Sequence, residues 1–366
     1  MVQILINDLK RHSASTGSAL TDRLLSVVDS GWYVMGHECT SFEKAFANYI
    51  GADFCIGVGN GTDALEIGLR AIGVERGSKV ATVANAGMYS VIAMMAIGAE
   101  PVFVDVDGRN QLMDLDHLRQ RFTQDRIDAV VVTHLFGLMH DMDAVLRMCE
   151  EAKIPVLEDC AQAHGARREG YKAGSRGQVS TFSFYPTKNL GAMGDGGAVV
   201  TSDPAIAERL RLLRQYGWTS KYHSVIPNAR NTRLDELQAA ILNVKLPYLD
   251  GWNERRREIA ARYTAKINHP LITCPPQRGD EYVAHLYVIQ CEDRASLRRH
   301  LANAEISTDV HYPIPDYRQP CLEGGTGPAL SLPVTEHLAQ RNLTLPCFPE
   351  LSDDEVNFII DQVNAW

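Results

Sequence analysis

The sequence predicts an α/β protein: a large domain with a mostly parallel sheet between helices, and a smaller C-terminal α/β domain after it. Three observations predict it. The chain has 366 residues, which at about 150 residues per domain points to two domains and is ample for a large buried core. Short β-branched runs alternate along it with amphipathic stretches. Those runs are continuously apolar, the pattern of strands covered by helices on both faces.

In chain order, strands are expected at Cys55–Val58, Lys79–Val83, Pro101–Val104, Ala129–Thr133, Pro155–Glu158, Thr181–Phe184 and Ala198–Thr201. Helical patterns follow several of them, at Gly61–Ala71, Met142–Ala152 and Ala205–Arg214. The texture changes near residue 250. Arg233–Lys245 reads as a helix, Pro247 follows, and Gly251–Lys266 reads as a second helix whose Arg255-Arg256-Arg257 suits a solvated face. Beyond lie a strand at Ala284–Cys291, a helix at Arg294–Ala304, a Pro-rich stretch from Pro313 to Pro333 and a terminal helix after Asp353. The domains are accordingly 1–247 and 248–366.

Composition narrows the function. Apolar residues at 45 % and charged residues at 22 % rule out wholesale disorder. A formal charge of −9 argues against a nucleic-acid partner, while leaving room for a pocket that takes one phosphate. No run of about 18 apolar residues occurs, so no membrane association is expected, and the first residues lack a signal h-region. The eight cysteines form no C-x-x-C pair. Reduced thiols in a cytoplasmic protein explain them better than disulfides or zinc.

Ligands of open α/β sheets sit at the carboxyl ends of the strands. After Cys55–Val58 comes Gly59-Asn60-Gly61-Thr62-Asp63, opening a helix. Glycines at such a turn leave N–H groups exposed at the positive helix end, a phosphate cradle in which Asp63 serves the helix while its N–H faces the ligand. A capped turn is the plain alternative. Asp159 follows the fifth run, where a buried carboxylate needs a cation; a structural ion pair would satisfy it equally. Lys188, between Pro186 and Gly191, follows the sixth; alone, it reads as a solvated lysine. Together the three match pyridoxal 5′-phosphate. The phosphate needs the cradle, the pyridinium nitrogen an acid, and the aldehyde a lysine.

Seven separate stretches then carry a resemblance: SFEKAFA (41–47), GNGTDAL (59–65), VFVDVD (102–107), EDCAQAHGA (158–166), FSFYPTKNLGAMGDGG (182–197), NTRLDELQAAIL (231–242) and LPCFPELSDDEV (345–356). With them the chain resembles the DegT/DnrJ/EryC1/StrS family of sugar aminotransferases, over nearly its whole length. The resemblance implies the aspartate aminotransferase (type I) fold, with the large domain binding pyridoxal 5′-phosphate. It makes Lys188 the Schiff-base lysine and Asp159 the ring-nitrogen partner. Gln162 would lie on the ring-hydroxyl side, and Ser183 with the amides of Gly61, Thr62 and Asp63 would hold the phosphate. Asn231 would reach the phosphate from a neighbouring subunit, implying a homodimer with shared sites. Lysine at 188 sets the chain apart from members with histidine there, which resemble dehydratases.

The implied reaction moves an amino group from L-glutamate to a nucleotide-linked keto-6-deoxy sugar. GVGNGTDAL resembles the branch that acts on dTDP-3-keto-6-deoxyhexoses. The alternatives are a 4-keto-sugar (UDP, GDP or dTDP) or keto-inositol aminotransferase, or a pyridoxal-phosphate-binding regulator without turnover. One departure concerns the ring that usually stacks on the cofactor: glycine stands at that position in Asn85-Ala86-Gly87-Met88-Tyr89-Ser90. Tyr89 is the nearest ring, with Met88 as the packing alternative. Substrate contacts are expected from His164, Tyr222, His223, His311 and Tyr312; after His311-Tyr312-Pro313, Asp316-Tyr317 replaces a usual histidine. His134 is expected to line the pocket and His140 to be solvated. The histidine spacing fits no zinc motif, so no metal is expected.

Overall fold

Seven strands assemble because each apolar run loses water from both faces at once. The computed structural model describes residues 3–322 and 330–366. In it β1 (Phe54–Val58), β2 (Lys79–Val83), β3 (Glu100–Val104), β4 (Ala129–Thr133), β5 (Val156–Asp159), β6 (Val179–Ser183) and β7 (Gly197–Thr201) form one sheet, ordered β1-β7-β6-β5-β4-β2-β3. β2 to β6 pair in parallel. Only β7 is reversed, antiparallel to β1 and β6 on either side. A parallel return usually needs a helical crossover, and none lies between Ser183 and Gly197.

Side chains alternate between two buried layers, as the pleat requires. Val130 and Val132 of β4 join Val83, Val104, Phe182 and the Phe42 and Phe46 rings of the His37–Ile50 helix. Ala129 and Val131 join Val80, Leu157 and Val199, under the Gly61–Ala71 and Pro204–Arg214 helices. The carboxyl ends of β1, β2, β4, β5 and β6 therefore meet at one edge.

Small shifts from the expected elements matter for the site. β5 runs to Asp159 and β6 ends on Ser183, so both side chains belong to rigid ladder ends rather than to the loops after them. The expected Arg233–Lys245 helix starts only at Glu236, because Asn231 and Asp235 bridge Gln215 and Val34 in extended form. Glu236 instead accepts from the N–H groups of Gly36, Glu38 and Cys39 at 2.8, 2.8 and 2.9 Å, capping the His37–Ile50 helix.

A second, antiparallel sheet contains β8 (Ile272–Thr273), β9 (Tyr287–Cys291) and β10 (Asn342–Leu345). Tyr263, Leu297 and Ile359, from the Leu249–Lys266, Arg294–Asn303 and Asp353–Ala365 helices, share a buried cluster with Tyr287 and Leu343 of this sheet. The 247/248 boundary falls in the 3-10 turn Leu246–Tyr248. The solvated reading of Arg255-Arg256-Arg257 fails at Arg256, which is buried and donates to the carbonyls of Ala284, His285 and Cys347. Part of the Pro-rich stretch, 323–329, lies outside the described residues. All eight cysteines are free, and no described helix is long and apolar enough to cross a membrane.

Candidate active site

The β1–helix turn is built around Asn60. Its extended backbone (φ −166°) ends the strand, and its side chain accepts from the Asp63 N–H at 2.8 Å. That bond corrects the expected cradle. The Asp63 N–H is engaged, and the free donors are the N–H groups of Gly61 and Thr62, which bond no described residue. Gly61 is required by contact, since a Cβ there would sit 2.6 Å from the Ser183 Cβ. The cradle and the end of β6 are in touch.

Asp159, at the end of β5, is buried. It accepts from the Ala161 N–H at 3.1 Å and from Thr133 Oγ1 at 3.5 Å, and forms no salt bridge among the described residues. Burial raises its pKa, against the opposing effects of the Ala161 N–H and of Lys188. Beside it, His134 accepts the His140 N–H at Nδ1 (3.0 Å), so its proton is on Nε2 and is donated to Glu158 at 2.9 Å. Glu158 also takes the N–H groups of Gly174, Arg176 and Gly177. His134, Glu158 and Cys160 lie close enough to share a metal ion. Both nitrogens of His134 are nonetheless already hydrogen-bonded, and the cluster works as a buried brace beneath Asp159. His134 thus braces the sheet instead of lining the pocket, and His140 is buried rather than solvated.

Lys188 follows β6 on a tightly folded loop. Gly191 packs so closely on Pro186 that a Cβ would fall 2.3 Å from the Pro186 carbonyl oxygen. Lys245 Nζ donates to the Gly191 carbonyl at 2.8 Å, and Asn189 donates to Asn253 at 2.8 Å. The loop is held from both ends. Lys188 itself is half-buried, and burial pulls its amine down to about 8, with Asp159 pulling the other way.

These groups share a cavity of about 290 Å³, lined by Asn60, Gly61, Thr62, Tyr89, Thr133, Asp159, Gln162, Ser183, Tyr185, Lys188 and Asp195 among others. Gln162 accepts from the Phe136 N–H at 2.6 Å and donates to Tyr312 Oη at 3.2 Å. A second cavity of about 250 Å³ adjoins at Tyr89, Gln162, Tyr185 and Lys188, and adds Asn7, His285, His311 and Tyr312. His311 shares a hydrogen bond with Thr344 at 2.8 Å. Tyr89 lines both cavities, whereas Met88 is buried with Val91, Phe103 and Leu332.

Other expected residues lie elsewhere. His164 is fully buried and tilted against the Phe182 and Phe184 rings, which keeps it from both cavities. Tyr222 and His223 are exposed on the Trp218–Ser224 hairpin. Asn231 is exposed and is no helix cap, since the next helix starts only at Glu236 with Asp235 at its N-cap position. Its neighbours nevertheless touch the cradle: Thr232 accepts from the Gly59 N–H at 2.9 Å, and Arg230 pairs with Glu66.

Sequence reasoning missed His285, buried beside the second cavity with Nδ1 3.0 Å from Asn189 Oδ1. The apolar run had placed it inside a strand. It missed Asn60 and Tyr185 as well, although Asn60's position before a helical pattern was a readable cap signal.

These residues fit pyridoxal 5′-phosphate. Two unbonded N–H groups at a helix start suit a phosphate. A buried carboxylate with no salt-bridge partner suits a pyridinium N–H, and an amine pulled down to about 8 suits an aldehyde.

Residues 15–364 match the family described as the DegT/DnrJ/EryC1/StrS aminotransferase family. The erythromycin biosynthesis sensory transduction protein EryC1 of Saccharopolyspora erythraea is 42 % identical, over 93 % of this chain and 93 % of its own. The dTDP-3-amino-3,6-dideoxy-alpha-D-galactopyranose transaminase of Aneurinibacillus thermoaerophilus is 41 % identical, over 98 % of each. The crystal structure of S. venezuelae DesV in complex with a ketimine intermediate superposes with a TM-score of 0.96 at 39 % identity, covering 100 % of this chain and 99 % of that one.

Proposed function

The chain belongs to the DegT/DnrJ/EryC1/StrS aminotransferase family, and from that premise we propose that it transfers an amino group from L-glutamate to a dTDP-3-keto-6-deoxyhexose, giving the 3-amino sugar. One observation carries the chemistry: Lys188, Asp159 and the free N–H groups of Gly61 and Thr62 converge on one cavity at one sheet edge. The sugar class is supported by the 41 % identical transaminase that bears a 3-amino-3,6-dideoxy sugar in its name.

When bound, pyridoxal 5′-phosphate supplies an aldehyde and a ring that takes up the electron pair left on the donor carbon. Gly61, Thr62 and Ser183 hold its phosphate. Asp159, rigid at the end of β5, keeps a proton on the ring nitrogen. Lys188 Nζ would anchor the aldehyde, and as a free amine it would be the base placed to take the proton from the α-carbon of glutamate. Tyr89 walls the ring, and Gln162 and Tyr312 orient its hydroxyl side. His311 and the neighbouring His285 face the sugar from the second cavity.

Two copies of the chain share the sites, with Asn231, Tyr222 and His223 serving the partner's cavity. Their exposure and absence from their own cavity support this reading. Eight free thiols suit the reducing cytoplasm.

The test is to load the protein with pyridoxal 5′-phosphate, add L-glutamate, and follow the visible spectrum. Conversion to the pyridoxamine form is expected, and a panel of nucleotide keto-sugars should then return it, with NMR placing nitrogen on carbon 3. The sensory-transduction name of the 42 % identical relative keeps a binding-only reading in view. A spectrum inert to glutamate would establish that reading instead, and nitrogen on carbon 4 would move the substrate class.

A further inference from the structure

Asp316 lies far from Lys188 in sequence, yet it is 1 % exposed and grips the loop that presents Tyr89. Its carboxylate accepts from the Met88 N–H at 3.0 Å, and the N–H groups of Gly87 and Ala86 also favour its charged form. Its own N–H donates to the Ala84 carbonyl at 2.8 Å. The loop needs such a grip. Gly87 (φ +78°) and Met88 (φ +71°) are consecutive left-handed residues, a conformation that the Cβ of Met88 disfavours. The Tyr89–Ile97 helix starts directly after them. Four residues before Asp316, the Tyr312 ring fills the space over Gly87, where a Cβ would be 2.8 Å from its Cε1. That ring stands edge-on to Tyr89, with centroids 6.3 Å apart.

We infer that Asp316 is a positioning residue for Tyr89: it holds the Gly87–Met88 turn so that the Tyr89 ring stands at the wall where position 87 has no ring of its own. The inference rests on the proposed reading of this cavity as a pyridoxal 5′-phosphate site. It joins two departures from the family pattern, the glycine at 87 and the aspartate at 316, into one device. Burial alone pushes the Asp316 carboxyl up to about 7 despite its N–H donors. Losing it would leave several buried donors unsatisfied.

The experiment titrates apoprotein with pyridoxal 5′-phosphate, reading the dissociation constant by absorbance and the visible circular dichroism of the bound cofactor. Asp316→Ala is expected to weaken binding by about tenfold and to flatten the dichroic band. Asp316→Asn, which keeps one acceptor oxygen for the Met88 N–H, should recover part of both losses. In a Tyr89→Ala background, Asp316→Ala should change the constant by less than about twofold, because the effect passes through that ring. General destabilisation would act equally in both backgrounds. An equal loss in both backgrounds, or wild-type binding and dichroism in Asp316→Ala, would overturn the inference while leaving the cofactor site standing. Failure of the wild-type protein to bind pyridoxal 5′-phosphate would overturn the site reading, and the inference with it.

Discussion

At the scale of single residues, the two lysines pulled down to about 8 make the sharpest contrast. Lys245 spends its Nζ on the Gly191 carbonyl and is walled off, whereas Lys188 lines both cavities. Borohydride reduction of the loaded protein followed by peptide mapping should therefore put the pyridoxyl group on Lys188. A label on Lys245, Lys172 or Lys221 would refute the assignment. The lowered pKa also sets a pH dependence. The neutral amine is the reactive form, so attachment of pyridoxal 5′-phosphate to apoprotein should speed up about tenfold per pH unit and level off above about 8. A rise continuing to pH 10 would show an ordinary lysine. Asp159→Asn keeps the shape but removes the charge proposed to hold a proton on the ring nitrogen. It should leave the cofactor's dissociation constant within about tenfold while slowing the glutamate half-reaction by orders of magnitude, and near-normal turnover would remove Asp159 from its role. The strand-end placement of Lys188 and Asp159 was legible in the sequence because each stands at or just past the end of an apolar run, although neither is marked as a site by its own surroundings alone. His285 and Asp316 were not, since their neighbours across the fold give them meaning and nothing local marks them.

At the scale of elements, the strands were legible because continuous apolar runs leave little choice; Lys79–Val83 and Ala129–Thr133 have the expected bounds, and the other five differ by one or two residues at an end. Those residues mattered. Asp159 and Ser183 proved to be the last rungs of β5 and β6, which fixes both side chains more firmly than loops would. The late start of the Glu236–Lys245 helix was hidden because Arg233 and Leu234 suit a helix locally, while tertiary bridges hold Asn231 and Asp235 extended. The β1–helix turn gives the prediction that belongs at this scale. A methyl group at Gly61 would sit 2.6 Å from the Ser183 Cβ, a contact between two backbone-fixed positions that no side-chain rotation relieves. Gly61→Ala should force the cradle away from β6, at about 1–3 kcal/mol as for other overpacked sites. The expected result is a lower melting temperature together with a dissociation constant for pyridoxal 5′-phosphate weakened by at least about tenfold. A loss of stability with unchanged cofactor affinity would show that the cradle does not hold the phosphate.

At the scale of the whole molecule, the remaining question is which chain completes which site. The Lys188 cavity is assembled without Asn231, Tyr222 or His223, all of which are exposed. Yet the flanks of Asn231 are tied to the cradle region of their own chain through Thr232 on Gly59 and Arg230 on Glu66. In the proposed geometry Asn231 reaches a cradle presented by a second copy; the rival geometry has it serve its own cradle from outside. A mixing experiment separates them. On the proposed reading, Asn231→Asp would put a negative charge against the phosphate and Lys188→Ala would remove the anchoring amine, so neither protein should be active alone. When the two are unfolded and refolded together, a mixed dimer with crossed sites contains one cavity that has both Lys188 and a partner-supplied Asn231. Random pairing makes about half of the dimers mixed, and each carries one intact site of two, so recovery should approach about a quarter of wild-type activity per chain. If both residues serve the same subunit, every cavity in the mixture lacks one of them, and activity should stay at the level of the separate variants in dimers verified as mixed.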